Sequence, residues 1–449
     1  MFRRILIANR GEVAARVLRT CHRLGVEVVA LASAADAEHQ WLSGADRVVR
    51  LGPARAAQSY LDQDAVIQAA LQTHCAAVHP GWGFLAENAT FAARCEAAGL
   101  TFIGPRPRDI RRFGDKALAR ATMAGLGMPI IPGTKEPVRT LDEARAEADR
   151  IGYPLLLKAV AGGGGRGMRA VDAPDELAAA WGEATAEAAA SFGDARIYME
   201  RRIVGGRHVE VQVIADRYGT ALHLGERECS IQRRHQKVLE EAPSPGIPAH
   251  ERDRILPLVA GVVARSGYRN AGTVEMLVDA DGKAWFMEMN TRLQVEHSVT
   301  EQITGVDLVE LQLRVAANQR LPLAQSDVTF TGHSIELRLN AEDPDAGFRP
   351  SPGRVDVLEL PQGDGIRVDT HLRAGDRIPP NYDSMVAKLI VTAADRPTAI
   401  RNLVAALDAT RIEGITTNIG LHRRILAWEP FVSGNYDTKS LERDLMGGA

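Results

Sequence analysis

Over the first 115 residues the hydrophobic pattern switches between two periods. Arg4-Ile5-Leu6-Ile7-Ala8 is a short apolar run closed by the turn Asn9-Arg10-Gly11. Glu12-Val13-Ala14-Ala15-Arg16-Val17-Leu18-Arg19 then places its apolar residues at helical spacing. Residues 26–31, 47–51, 76–80 and 100–105 are further short apolar strands. Buried strands separated by helical stretches predict an α/β region, a doubly wound parallel sheet. Its first strand-to-helix turn carries only Gly11, so a G-x-G-x-x-G dinucleotide fingerprint is absent. A plain turn and a site for some other anion at that helix start are both compatible with the pattern.

Beyond residue 115 the pattern predicts a helix from Asp115 to about Gly125, a linker beginning at Pro132-Gly133, and a helix over 141–151. Strands follow at 153–160 and 168–171, then a helix over 172–190 with Pro174 tolerated in its first turn. Residues 207–215 alternate strictly, with His208, Glu210 and Gln212 on one face and Val209, Val211 and Val213 on the other. From about residue 330 strands return, ending in helices near 396–409 and 418–428.

Composition narrows the class. A chain of 449 residues suggests about three domains. With 45% apolar and 25% charged residues it is neither disordered nor fibrous. Lys+Arg 54 against Asp+Glu 57 gives −3, so no basic excess is available to hold a nucleic acid. No apolar run approaches the ~18–20 residues of a membrane span, and the N-terminal apolar stretch is too short for a secretory signal. A cytoplasmic protein is expected. Cys21, Cys75, Cys95 and Cys229 form no C-x-x-C pair, which excludes zinc ribbons and thioredoxin-like motifs. Cys229 has no base at any informative spacing and is expected to pack rather than react.

Two stretches carry candidate chemistry. Gly162-Gly163-Gly164-Gly165-Arg166-Gly167 lacks the Gly-Lys-Ser/Thr ending of a Walker A loop and joins two strands, so it reads as a hairpin. Its glycines would let backbone amides approach phosphate oxygens and let the loop close as a lid; a plain flexible hairpin fits the same residues. Lys158 on the preceding strand favours phosphate. The second stretch is the pair of strands flanking Asp279-Ala280-Asp281-Gly282, a strong hairpin signal. With Ala280 and Asp281 at the tip, Glu275 opposes Phe286, and Phe286, Glu288 and Asn290 share the face of Glu275. Glu275 and Glu288 become diagonal neighbours roughly 7–8 Å apart. Two carboxylates and an amide oxygen suit Mg2+ or Mn2+; an exposed face of solvated charges is the alternative. Arg292 and Glu296 follow closely, a guanidinium able to grip a planar carboxylate or bicarbonate and a carboxylate able to take a proton. The run 227–237, with Gln232, His235 and Lys237, is a second dense cluster suited to an anionic ligand or to solvent.

These residues resemble those of biotin carboxylase, a member of the ATP-grasp superfamily, along essentially the whole chain. The matching segments are Ile7-Ala8-Asn9-Arg10-Gly11-Glu12, His79-Pro80-Gly81-Trp82-Gly83-Phe84-Leu85, Gly114-Asp115-Lys116, Lys158 with the glycine loop, Arg233-Arg234-His235-Gln236-Lys237-Val238, Glu288-Met289-Asn290-Thr291-Arg292 and Arg338-Leu339-Asn340-Ala341-Glu342. The resemblance implies a pre-ATP-grasp domain at 1–115, an ATP-grasp domain at 116–330 with a mobile lid at about 130–205, and a C-terminal α+β domain at 331–449. It assigns Lys116, Lys158, Gly164 and Gly165 to ATP phosphates and Glu200, Arg201, Arg202 and Ile203 to adenine. His208, Gln232, His235, Glu275 and Glu288 also fall in the ATP site. Glu275, Glu288 and Asn290 match metal ligands; Lys237, Arg292, Gln294 and Val295 match a bicarbonate site. Glu296 matches the general base and Arg338 the residue facing biotin, so Arg292, Glu296, Arg338 and Lys237 are the implied catalytic set.

The implied reaction consumes ATP and bicarbonate, passes through carboxyphosphate, and carboxylates biotin on a separate carrier protein. It is the first half of acetyl-CoA carboxylation, which supplies malonyl-CoA for fatty acid synthesis. Propionyl-CoA, another acyl-CoA, pyruvate or urea are alternative final acceptors. No Met-Lys-Met biotinylation site occurs, so a biotin carboxyl carrier protein and carboxyltransferase subunits are expected partners, and a homodimer is the expected assembly. An ATP-grasp ligase acting on an amino acid or purine precursor is the more distant alternative, opposed by Arg338 and the run from Arg292 to Glu296. Trp82, Ala161 and Ser298 depart from the commoner pattern without being expected to touch a catalytic group.

Overall fold

The computed structural model describes residues 1–160 and 168–447. Gly164 and Gly165, with the rest of the glycine loop, lie outside the described residues. The first apolar runs form a five-stranded parallel sheet in the order Arg47–Gly52, Glu27–Ser33, Arg4–Ile7, Ala77–His79, Thr101–Phe102. Period-2 alternation sends Ile5 and Ile7 into one core, beside Val13 and Val17 of the Gly11–Arg23 helix. Leu6 enters the opposite core with Ile67 and Phe91. Burial on both faces explains why these strands read as unbroken apolar runs.

The turn at Gly11 is filled by protein. Gly11 has φ +67°, and the His371 ring stands 3.7 Å from where a Cβ would lie. Arg10 at the helix start makes a bidentate pair with buried Asp36, at 2.7 Å for each bond. Of the two readings of this turn, the plain structural one fits.

Asp115 caps the Lys116–Gly125 helix through the Leu118 amide. A three-stranded antiparallel sheet follows, with Leu155–Ala159 between Met168–Val171 and Ile197–Arg201. The Leu141–Ile151 helix, closed by a Thr140/Glu143 capping box, and the Leu177–Phe192 helix cover it. Pro174 sits in a separate 3-10 turn, Pro174–Glu176, ahead of the second of these helices. The chain between residues 129 and 134 connects this sheet to the main one. Pro129 accepts from the Phe286 amide, and Pro132 accepts from the Arg201 amide.

The main sheet has eight antiparallel strands in the order Ala284–Asn290, Asn270–Val278, Arg207–Ala215, Ala221–Arg233, Gln236–Ala242, His333–Asn340, Met385–Ala393, Ile366–Thr370. It runs unbroken from the middle of the chain into its C-terminal part, because Gln236–Ala242 pairs with His333–Asn340. Val209, Val211 and Val213 pack with Ile255, Val259 and Val262 of the Ala249–Ser266 helix. The polar face of the same strand is also buried, and its His208 lines the cleft described next. Among the described residues no helix is long and apolar enough to cross a membrane.

Candidate active site

The acidic hairpin forms, with a different register from the one expected. Its turn is a three-residue loop: Gly282 donates to Asp279 O, Asp279 N donates to Lys283 O, and Gly282 has φ +79°. Met276 therefore opposes Phe286, and Phe286 points into the core, not onto the face of Glu275. Left uncorrected, this register would set Glu275 against Met287. A β-bulge between these pairs restores the alignment, so that Glu275 directly opposes Glu288 and Thr273 opposes Asn290. The two acids are thus facing, not diagonal, neighbours, roughly 4.5–5.5 Å apart at Cβ. Asn290 Nδ2 donates to Glu275 Oε1 at 2.8 Å.

Lys237 stands at the centre of the site. Its Nζ lies 2.6 Å from Glu210, 3.1 Å from Glu275 and 2.6 Å from Glu296. Burial opposes its charge, but these carboxylates and Cys229 outweigh that and hold the ammonium well above the usual lysine value. Glu296 receives a second cation, Arg338, at 2.8 Å. Burial would push the Glu296 carboxyl up; Lys237, Arg338 and Arg227 hold it well below the usual carboxylate range. It is therefore ionised at neutral pH. Glu275 is held ionised in the same way, chiefly by Lys237 and His208 against burial.

Of the remaining expected residues, some meet this centre or its cleft, while Lys158 and residues 200–203 belong to the three-stranded sheet and its end, outside the cleft lining. Gln232 Nε2 donates to His208 Nδ1 at 2.7 Å, which leaves the His208 N–H on Nε2, 3.3 Å from Glu275. Gln294 bridges, donating to Glu275 at 2.9 Å and accepting from Arg227 at 2.9 Å. Val295 lines the cleft. His235 and Arg234 form the tip of a hairpin, both with positive φ, and His235 also lines the cleft. Lys116 Nζ lies 3.0 Å from Glu288. Lys158 pairs with Glu200, which also meets Arg120. Arg202 binds Asp172, Arg201 is exposed, and Ile203 packs beside Gly206. The cleft is about 520 Å3 and is shared by His208, Lys237, Glu288, Arg292, Glu296 and Arg338. Trp82 forms part of its wall, so that departure does reach the site.

The basic run at 227–237 does not act as one anion-binding face. Arg227 is fully buried and spent on protein, donating to Glu210, Gln212, Thr300, Thr273 and Gln294. Cys229 is buried, and burial pushes its thiol well up, as a packing cysteine requires.

Several residues of the site carry no signal in the sequence. Glu210 is visible only as one polar position in an alternating strand. Glu87, from the loop after the Trp82 turn, accepts from Arg292 Nε at 2.8 Å and from Thr291 N at 2.9 Å. It fixes one edge of the guanidinium, while the Nη atoms make only long contacts, 3.4 Å each, with Leu293 O and Asn290 Oδ1. Glu87→Ala is expected to raise the KM of an anionic substrate gripped by Arg292 about two- to fivefold, the worth of a part-exposed ion pair of up to about 1 kcal/mol. An unchanged KM with unchanged kcat would show that Arg292 holds its place without Glu87.

Glu240 is the third such residue. It accepts from Arg338 Nε at 2.6 Å. Burial, opposed by Arg338 and reinforced by Glu296, pushes its carboxyl up to about 7. The folded value exceeds the ordinary 4.5, so the fold favours the protonated form. That contribution is complete below pH 4.5 and is lost as pH rises through 7. Glu240→Gln removes it. The stability of the variant relative to the parent is expected to rise by on the order of 2 kcal/mol between pH 5 and pH 8. Urea unfolding at both pH values measures this, and a pH-independent difference would contradict it.

Fold and site together are those of an ATP-dependent ligase built on the ATP-grasp plan. The model of the biotin carboxylase N-terminal domain matches residues 1–110. That of the carbamoyl-phosphate synthase L chain ATP-binding domain matches 115–324, and that of the biotin carboxylase C-terminal domain matches 336–443. Biotin carboxylase of Pseudomonas aeruginosa is 48% identical over 99% of this chain and 99% of its own. The biotin carboxylase domain of Hydrogenobacter thermophilus 2-oxoglutarate carboxylase, solved as a dimer with MgADP, ADP and bicarbonate, has a TM-score of 0.88 and 43% identity, covering 99% of this chain and 98% of that one. A biotin carboxylase of Campylobacter jejuni in complex with an ATP ligand has a TM-score of 0.91 and 42% identity, covering 99% of both chains. The chain belongs to the biotin carboxylase family.

Proposed function

We propose that this cleft carboxylates biotin on a carrier protein, with Glu296 as base, as the first half-reaction of acetyl-CoA carboxylation. The observation that carries the reading is the buried Glu296 carboxylate, kept ionised between Lys237 and Arg338 and one short turn from Arg292. We assign the nucleotide to Lys116, Lys158, Gly164, Gly165, Glu200, Arg201, Arg202, Ile203, His208, Gln232 and His235. The domain division at 115 and 330 belongs to the same reading.

Glu275, Glu288 and Asn290 suit a Mg2+ or Mn2+ ion. The two facing acids are hard oxygen donors now neutralised by Lys237 and Lys116, cations that a metal would displace. Asn290 turns its Nδ2 to Glu275, so ligation by its Oδ1 requires the amide to turn over. When bound, the ion would neutralise and align the phosphates of ATP. Arg292 grips bicarbonate, with Gln294, Val295 and Lys237 around it. Glu296 removes the bicarbonate proton, and the freed oxygen attacks the γ-phosphoryl group, releasing ADP and leaving carboxyphosphate. Carboxyphosphate breaks down to CO2 and phosphate, and the phosphate takes the ureido N–H proton of biotin. Arg338 stabilises the negative charge on the ureido oxygen while the nitrogen adds to CO2.

The test is to incubate the purified chain with MgATP, bicarbonate and free biotin, measuring ADP and carboxybiotin together. ADP formation indifferent to bicarbonate and biotin overturns the reading. The acceptor is a separate matter, because it does not enter this cleft. A 2-oxoglutarate carboxylase among the structural relatives gives a second acceptor class specific support. Malonyl-CoA formation on adding the carrier and carboxyltransferase subunits separates the two. A homodimer is part of the same proposal.

A further inference from the structure

The mechanism above makes no use of Lys388, although its side chain is wholly buried beneath the site. It lies on the Met385–Ala393 strand, directly opposite Arg338 on one side and Asp369 on the other. Directly opposed residues of antiparallel strands share a face. Arg338, Lys388 and Asp369 therefore stand in a row across three strands. The His297–Thr304 helix packs over this face, and Glu296 is its N-cap residue.

Two general costs count against a lysine here. A buried ammonium loses its hydration, and a cation near a helix N-terminus opposes the helix dipole. Glu12 at 3.3 Å and Asp369 at 3.7 Å compensate the charge. Yet the two short bonds of Lys388 do not go to these acids. They go to Val295 O at 2.8 Å and Ser298 Oγ at 2.7 Å, the residues just before and just after Glu296 and His297. Asp369 is meanwhile served by Arg367 and Arg19. The geometry is that of a clamp on the turn, with the acids as its counter-charge.

We propose that Lys388 is a positioning residue for Glu296: its ammonium fixes the 294–298 turn from below, through the Val295 carbonyl, while Lys237 and Arg338 fix the Glu296 carboxylate from above. The proposal rests on the role given to Glu296 in the proposed function. On this reading a residue on a C-terminal strand and one on the first helix, Glu12, bear on bicarbonate chemistry they do not touch. Without the clamp the turn keeps from below only the long bond of Ser298 Oγ to Asp369, 3.3 Å, and a displacement of order 1 Å in a base or its bicarbonate cradle is costly in rate.

The experiment compares Lys388→Met with the parent chain in bicarbonate-dependent ADP release, fitting KM for bicarbonate and for ATP separately and recording the melting temperature. A second variant, Lys388→Met with Glu12→Gln, removes the ammonium together with Glu12, the counter-charge that Arg367 and Arg19 do not serve as they serve Asp369, and guards against misfolding of the first. Both are expected to raise the bicarbonate KM about tenfold or more and to lower kcat, with the ATP KM within about twofold of the parent. An active parent with variants whose bicarbonate KM stays within about twofold overturns the clamp alone. Equal rises in both KM values also overturn it, since they mark a general loss of structure. A parent without bicarbonate-dependent activity overturns the functional reading, and the clamp with it.

Discussion

Glu296→Ala is expected to lower bicarbonate-dependent turnover roughly 10²- to 10⁴-fold, the usual contribution of a positioned acid or base. The structure isolates this effect from unfolding. Without Glu296, Lys237 keeps Glu210 and Glu275, and Arg338 keeps Glu240, so neither cation is orphaned. MgATP affinity should stay near that of the parent. The depressed carboxyl poses a chemical question, because a well-paired carboxylate is a weak base. One of its three cations, Lys237, is also a group that an incoming bicarbonate would draw on in the proposed reaction. As Lys237 turns toward that anion, Glu296 loses its nearest counter-charge, 2.6 Å away, and its basicity rises where the proton must go. ADP release with and without bicarbonate, at saturating MgATP, measures the effect. Near-normal bicarbonate stimulation in the variant would remove Glu296 from the role.

Much of the scaffold is legible in the sequence because its signals are local. The runs at 4–8 and 26–31 are apolar without break because both faces of the parallel sheet are covered. The expected helix over 141–151 forms where its pattern places it, and the structure adds the reciprocal Thr140–Glu143 bonds that start it. The acidic hairpin is a subtler case. Asp279 to Gly282 announces a turn, but the loop takes three residues because Gly282 adopts positive φ, and this shifts the register by one. The bulge before Glu288 shifts it again, so both acids still share a face. The bulge is a property of the folded pair of strands, and nothing in Phe286-Met287-Glu288 encodes it.

The least legible contacts are those that cross the fold. Glu87 reaches Thr291 over 204 residues, a distance at which no periodicity carries information. Arg227 and Lys237 belong to one charged run, yet one is a buried structural hub and the other faces the cleft. Charge density alone cannot separate them. The pairing of the Ala221–Arg233 and Gln236–Ala242 strands, with register shifts between Glu228 and Gln232, does so.

Arg338→Ala should divide the two half-steps of the reaction. Carboxybiotin formation is expected to fall about 10²- to 10³-fold, the effect of removing a donor aimed at developing negative charge. Bicarbonate-dependent ADP release should fall much less. The reason lies in what Arg338 leaves behind. Glu296 retains Lys237, and so remains anchored and ionised. Glu240 loses its partner, but its carboxyl already titrates near 7 and can meet the loss by taking a proton. The strand itself keeps its place, since the Arg338 carbonyl accepts from Asn418 and His422, at 2.9 Å each, whatever the side chain. The ratio of carboxybiotin to ADP is therefore the informative quantity, and it should drop in the alanine variant. Equal losses in both products would place Arg338 with the general electrostatics of Glu296, not with the ureido oxygen of biotin.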